Sequence, residues 1–107
     1  MLLVIDVGNS NNVIGLFSDK ELLSHWRIRT EWNRTADEYW VLFKEFILSN
    51  NVEIDDIDDI VIACVVPSLV PVLQEMARKY FSCDPLVVWP GIKTGISILY
   101  RNPAEVG

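Results

Sequence analysis

The chain has 107 residues, of which 50% are hydrophobic and 22% charged. This length and composition are those of one ordinary globular domain and exclude a disordered tail. No apolar run approaches the roughly 20 residues that a membrane-spanning helix needs. The formal net charge of -6 argues against a wide surface for nucleic acid or anionic lipid, because such a surface needs clustered Lys and Arg. A single nucleotide held by backbone amides and a divalent cation remains compatible with this charge.

The sequence passes from Met1 directly into an apolar segment, without the basic leader and long apolar region of a signal peptide. We therefore expect a cytoplasmic protein. The two cysteines, Cys64 and Cys83, form no C-x-x-C pair and have no metal-ligand spacing with the single histidine, His25. We expect both cysteines to be reduced and packed as small apolar side chains, and His25 to be a strand residue rather than a base.

Three strands are predicted in the first 29 residues. Residues 2–5 form a continuous apolar run that ends in Asp6 and Gly8, which is typical of a strand buried on both faces. Residues 13–17 and 21–29 have strand composition and are separated by a short turn. Strands joined by short turns predict an antiparallel meander.

Two helices and two more strands follow. Thr35-Ala36-Asp37-Glu38 matches a capping box, and apolar residues recur at helical spacing behind it. Residues 60–66 are predicted to form a buried strand and residues 85–89 a fifth short strand, and an amphipathic helix is expected between them, after Pro67-Ser68. The acidic segment 53–59 lacks the Gly and closing Glu of a calcium loop and is predicted to be a solvated connection. The order β-β-β-α-β-α-β predicts a mixed sheet with helices packed on it.

The strongest chemical signal is the polar segment Asp6-Val7-Gly8-Asn9-Ser10-Asn11, which follows the first strand. A carboxylate at a rigid strand end suits a hydrated magnesium ion, and Gly8 lets the backbone approach phosphates closely. The three polar side chains after Gly8 supply neutral hydrogen-bond donors. The alternative is an ordinary polar hairpin turn. The segment matches neither a P-loop nor a Rossmann fingerprint, so it does not indicate those nucleotide folds.

This D-x-G-N-[ST]-N segment is similar to the phosphate loop of the type III pantothenate kinases, a family within the acetate-kinase, sugar-kinase, heat-shock-70 and actin superfamily. Ser10 stands where many members have Thr, which keeps the hydroxyl group. Three further stretches resemble the family in its order: residues 34–39 (RTADEY), residues 65–67 (VVP), and residues 90–95 (PGIKTG) leading to residues 100–103 (YRNP) and 106–107 (VG). Together these stretches span the chain.

The resemblance implies an α/β fold: a ribonuclease-H-like, actin-like ATPase lobe with a mixed five-stranded sheet of order 3-2-1-4-5 and helices packed on it. Residues 1–107 would then be the N-terminal lobe of a two-lobed kinase, truncated at Gly107. The implied activity is phosphorylation of pantothenate by ATP, the first step of coenzyme A synthesis. We expect the isolated lobe to be inactive, because the family's general base, an Asp, would lie just beyond Gly107.

The resemblance also implies site residues and partners. Asp6 would hold Mg²⁺ through water, and Tyr100 and Gly107 would contact pantothenate. A monovalent cation (K⁺ or NH₄⁺) and a homodimer are implied for the complete kinase. The ATP phosphates would be bound by Asp6, Val7, Gly8, Asn9, Ser10, Asn11, Asn12 and Val13.

Two other functions remain open at this point. One is a non-catalytic regulator or ligand sensor that keeps the kinase fold, and the other is a different sugar or acetate kinase of the superfamily. Lys93 and Thr94 lie in a Gly-flanked loop that is either a simple turn or a substrate-side loop. Arg34 either complements the nearby helix carboxylates or has a role in the site.

Overall fold

The computed structural model describes residues 1–88 and confirms the predicted architecture. Five strands form one mixed sheet of order β3-β2-β1-β4-β5. Two α-helices and two short 3-10 helices connect them. The strands are β1 (Leu2–Val7), β2 (Asn11–Ser18), β3 (Glu21–Arg29), β4 (Asp59–Cys64) and β5 (Leu86–Val88), the α-helices are α1 (Ala36–Leu48) and α2 (Val70–Phe81), and the 3-10 helices are Ile54–Asp56 and Pro67–Leu69.

The strand β1 lies at the centre of the sheet. It pairs antiparallel with β2 and parallel with β4. The strands β2 and β3 pair antiparallel, and β4 and β5 pair parallel. Leu3, Val4 and Ile5 are all buried, so both faces of β1 are covered. This burial explains the continuous apolar run at the start of the sequence.

Both helices pack on the same face of the sheet. Tyr39, Phe43 and Ile47 of α1 share a buried cluster with Leu73 and Met76 of α2. Their spacing of three or four residues places them on one side of each helix. Each such fully buried side chain contributes about 1.5–3 kcal/mol relative to exposure. The sheet side of this cluster is formed by Leu3, Ile5, Val7, Ile14, Leu16, Ile60 and Ile62.

The start of α1 is the predicted capping box. The Thr35 hydroxyl accepts from the Glu38 N–H at 3.2 Å, and the Glu38 carboxylate accepts from the Thr35 N–H at 2.9 Å. The helices also contact each other through stacked rings, since the Trp40 and Tyr80 centroids lie 4.6 Å apart. The start of α1 is thus fixed both by its own cap and by α2.

The structure places the cysteines and the histidine in the elements expected for them. Cys64 is a buried free thiol in β4, and Cys83 is a free thiol just after α2. Burial raises the pKa of both thiols. His25 lies on β3 with an exposed side chain. Across residues 1–88, neither helix has the length and apolar character needed to cross a membrane.

Candidate functional site

The predicted phosphate loop is a tight bend between β1 and β2. We call residues Gly8 to Asn11 the bend. The Gly8 N–H donates to the Asn11 carbonyl oxygen at 2.8 Å. A Cβ atom at position 8 would lie 3.1 Å from that same oxygen, closer than such atoms ordinarily approach. Glycine is therefore favoured here because the chain passes too close to itself for a side chain.

Asp6 is the last exposed residue before the bend. It is paired with Val13 of β2 on one side and Ala63 of β4 on the other. Side chains alternate along a strand, and Ile5 and Val7 point into the core under the helices. The Asp6 carboxylate therefore projects from the opposite face of the sheet, where it is exposed.

The donor set around Asp6 fits a hydrated magnesium ion rather than an all-protein metal site. Within the part of the chain that the structure describes, no three His, Cys, Asp or Glu side chains come together as a metal cluster. Mg²⁺ in phosphoryl-transfer sites commonly takes one or two carboxylates, with water and phosphate oxygens completing its shell. One exposed carboxylate on a rigid strand end meets that requirement.

The exposed residues of the bend carry hydrogen-bond donors that have no acceptor in the part of the chain that the structure describes. Asn9, Ser10 and Asn11 are exposed. The backbone N–H groups of Asn9 and Ser10 donate to no acceptor within residues 1–88. Backbone amides grouped in a turn provide partial positive charge for an anion without a charged side chain. The bend is therefore chemically suited to phosphate oxygens even though the chain is acidic overall.

The inner surface of the bend is fixed by Thr30, a residue that sequence reasoning missed. Thr30 follows β3 and is only 7% exposed. Its N–H donates to the Ser10 carbonyl oxygen at 2.9 Å. Its hydroxyl oxygen lies 2.8 Å from the Gly8 carbonyl oxygen and 2.7 Å from Oδ1 of Asn12. Contacts across about 20 residues depend on strand register, so no local motif signals them.

Asn12 and Tyr39 form a buried polar layer next to Thr30. Both residues are 0% exposed. Burial raises the pKa of Tyr39, while the adjoining Asn12 carboxamide and the charge of Arg34 oppose that rise. Nδ2 of Asn12 and the Tyr39 hydroxyl have no hydrogen-bond partner among residues 1–88. The Asn12 side chain thus points into the molecule, unlike its exposed neighbours in the bend.

Arg34 lies between the end of β3 and the start of α1. Its guanidinium carbon is 5.4 Å from the centroid of the Tyr39 ring, and its Nη1 donates to the Arg29 carbonyl oxygen at 3.0 Å. These contacts support a role in joining β3 to α1. They place Arg34 near the polar layer without directing it onto the exposed surface of the bend.

The structure brings together the predicted nucleotide residues 6–13 at one end of the sheet. The other predicted site residues, Lys93, Thr94, Tyr100 and Gly107, lie outside the described residues. Their positions relative to the bend stay predictions.

Comparisons with known proteins agree with this architecture and motif set. The family model described as type III pantothenate kinase matches residues 2–107. Proteins named type III pantothenate kinase from Citrifermentans bemidjiense and from a Geobacter species are each 49% identical over all 107 residues, which cover 42% of each relative. The chain therefore spans about two-fifths of the length of these relatives.

Among solved structures, a provisionally named N-acetylglucosamine kinase from Porphyromonas gingivalis is similar, with a TM-score of 0.59 and 17% identity. The similarity covers 83% of this chain and 34% of that one. At this identity the similarity establishes the fold alone.

Proposed function

The chain belongs to the type III pantothenate kinase family, and on this basis we propose that the protein transfers the γ-phosphoryl group of ATP to the primary hydroxyl of pantothenate. This reaction is the first step of coenzyme A synthesis. The observation that carries the proposal is the bend itself: exposed residues whose backbone N–H groups have no acceptor among residues 1–88 lie next to an exposed carboxylate at the end of β1.

The bend would hold the ATP phosphates from one side. The N–H groups of Asn9 and Ser10, which have no acceptor among residues 1–88, would donate to phosphate oxygens together with the side chains of residues 9–11. Gly8 would allow close approach of the backbone. Phosphoryl transfer depends mainly on positioning and charge stabilisation, so a fixed array of donors is the contribution required from this region.

Asp6 would hold a magnesium ion through its water shell. Bound there, the ion would offset the negative charge that the phosphates carry. The single carboxylate on a rigid strand end supports this assignment. A monovalent cation, K⁺ or NH₄⁺, is proposed for the complete kinase, with its ligands outside residues 1–88.

The remaining machinery is proposed from the family resemblance. Tyr100 and Gly107 would contact pantothenate, and an Asp just beyond Gly107 would orient or deprotonate the attacking hydroxyl. Residues 1–107 would form the N-terminal lobe of a two-lobed, homodimeric and cytoplasmic kinase. The net charge of -6 supports the proposal that neither nucleic acid nor a membrane surface is a partner.

The test is an ATP-dependent pantothenate phosphorylation assay on the full-length gene product. We expect activity that requires Mg²⁺, and we expect Asp6→Asn to lower kcat/KM about a hundred-fold. Asp19→Asn is the matched control, because Asp19 lies in the turn at the far end of β2. Asp6→Asn activity equal to that of the unmodified protein would refute the role of Asp6. An unmodified protein that binds ATP and pantothenate without transfer would instead support the regulator.

A further inference from the structure

The polar layer beneath the bend contains an imbalance of donors and acceptors. The Thr30 hydroxyl has one proton, yet two acceptors face it: the Gly8 carbonyl oxygen at 2.8 Å and Oδ1 of Asn12 at 2.7 Å. Beside them, two buried donors have no partner among residues 1–88, namely Nδ2 of Asn12 and the Tyr39 hydroxyl. A buried polar group without a partner costs free energy, so this arrangement of donors and acceptors is unfavourable.

One rotation relieves the imbalance at the Thr30 hydroxyl. The oxygen and nitrogen of a carboxamide have nearly the same shape, and their assignment follows from hydrogen bonding. With the Asn12 carboxamide turned by half a rotation, Nδ2 donates to the Thr30 hydroxyl oxygen, and the Thr30 proton is free for Gly8.

We propose that Asn12 and Thr30 form a directed hydrogen-bond chain that ends on the Gly8 carbonyl oxygen and positions the bend for nucleotide phosphates. Each group donates once to the next: Asn12 Nδ2 to Thr30 Oγ1, and the Thr30 proton to Gly8. The existence of this chain follows from the buried layer, while its effect on nucleotide rests on the proposed kinase function.

The positioning effect follows from peptide geometry. Thr30 draws two bend carbonyls inward, that of Gly8 through its hydroxyl and that of Ser10 through its N–H. In a trans peptide the carbonyl and the following N–H point in opposite directions. The N–H groups of Asn9 and Asn11 are therefore turned away from Thr30. Thr30 is a positioning residue, because it sets the direction of these two N–H groups, one of which, that of Asn9, is proposed to donate to phosphate, without touching the nucleotide.

The link to the bend is measured by MgATP affinity in the full-length gene product. Thr30→Val keeps the shape and the backbone N–H but removes the hydroxyl, and we expect its dissociation constant to rise about ten-fold. Thr30→Ser keeps the hydroxyl and should bind within about two-fold of the unmodified protein. Thr35→Val is the control, because it makes the same substitution at a threonine outside the hydrogen-bond chain. The KM for pantothenate should not change in any of the three.

Two further comparisons keep the proposal testable. If Thr30→Val does not fold, Thr30→Ser and Thr30→Cys form a pair that differs by one atom, and equal MgATP affinity in that pair would refute the role of the hydroxyl. Direct nucleotide binding also separates this proposal from the proposed reaction. A protein that binds MgATP through Thr30 but does not phosphorylate pantothenate would overturn the reaction and retain the positioning role.

Discussion

Lys79 on α2 forms an ion pair with Asp37 in the first turn of α1, with Nζ and Oδ1 3.0 Å apart. The Tyr80 hydroxyl donates to the same carboxylate oxygen. The start of α1 is therefore joined to the end of α2 by a carboxylate that accepts from two neighbouring donors. Hydrogen bonds from Tyr80 and then Lys79 hold the pKa of Asp37 below its ordinary value of 3.8.

These pKa shifts predict a pH-dependent stability. Because the folded pKa of Asp37 is lowered, its contribution is present above the ordinary value of 3.8 and is lost as pH falls through the folded pKa. The hydrogen bond to Asp37 raises the pKa of both Lys79 and Tyr80, so their contribution is lost as pH rises through those raised values. We expect Asp37→Asn to lower the melting temperature slightly at neutral pH and to converge with the unmodified protein in acid.

The measurement is a series of thermal melts from neutral to acidic pH. Asp55→Asn is the control, since Asp55 is exposed in the 3-10 helix between α1 and β4. All the groups around Asp37 are exposed, so the effect should shrink in high salt. If the difference in melting temperature between Asp37→Asn and the unmodified protein stayed constant from neutral to acidic pH, the ion-pair explanation would be contradicted.

The capping box at Thr35 predicts a second, larger effect on stability. Thr35→Val removes the acceptor for the Glu38 N–H while keeping the size of the side chain. Loss of an N-cap costs about 1 kcal/mol in the free energy of unfolding. Thr35→Ser keeps the hydroxyl and should stay within a few tenths of a kcal/mol. Urea denaturation checks both values, and equal stabilities of the two variants would show that the cap contributes nothing.

The capping box also shows what the sequence could predict. Caps, helical spacing and continuous apolar runs are local, and they correctly predicted α1, α2 and a strand β1 that is buried on both faces. Residues 6–13 were predicted to bind the ATP phosphates from composition and family resemblance, and the structure places them at one end of the sheet. Local chemistry was sufficient wherever the relevant contacts span only a few residues.

The interior of the site could not be predicted in the same way. Asn12 belongs to a run of polar residues that reads as a surface turn, yet β2 begins at Asn11 and turns Asn12 inward. Thr30 follows a strand without any distinctive pattern, and its three contacts depend on how β3 aligns with β2. Both features depend on tertiary register, which the polar or apolar character of single residues does not reveal.

The end of α2 predicts a stabilising substitution. Ser82 adopts a left-handed conformation with φ of 51° and ψ of 37°. The Cys83 N–H reaches back to the Ala77 carbonyl oxygen at 3.2 Å, and a left-handed residue at this place is a common way for a helix to end. A residue with a Cβ in the left-handed conformation costs about 1–2 kcal/mol, and glycine removes this cost. Glycine also makes the unfolded chain more flexible, which offsets part of the gain. We therefore expect Ser82→Gly to raise the free energy of unfolding by about 0.5–1 kcal/mol.

Ser49→Gly is the matched control for this substitution. Ser49 ends α1 with a right-handed φ of -65°, where glycine offers no relief of strain and adds flexibility to the unfolded chain. We expect Ser49→Gly to lower stability and Ser82→Gly to raise it, both measured by urea denaturation. A stabilising effect at both positions would show that backbone conformation at Ser82 is not the cause.

Gly8→Ala tests the close approach within the bend. The added Cβ would lie 3.1 Å from the Asn11 carbonyl oxygen, the same oxygen that accepts from the Gly8 N–H at 2.8 Å. The bend must open by a few tenths of an ångström, which moves the N–H groups of Asn9 and Ser10 relative to the phosphates they are proposed to bind. We expect the MgATP dissociation constant to rise about five-fold, with little change in melting temperature because the bend is exposed. Unchanged MgATP affinity in this variant would show that the geometry of these donors does not limit nucleotide binding.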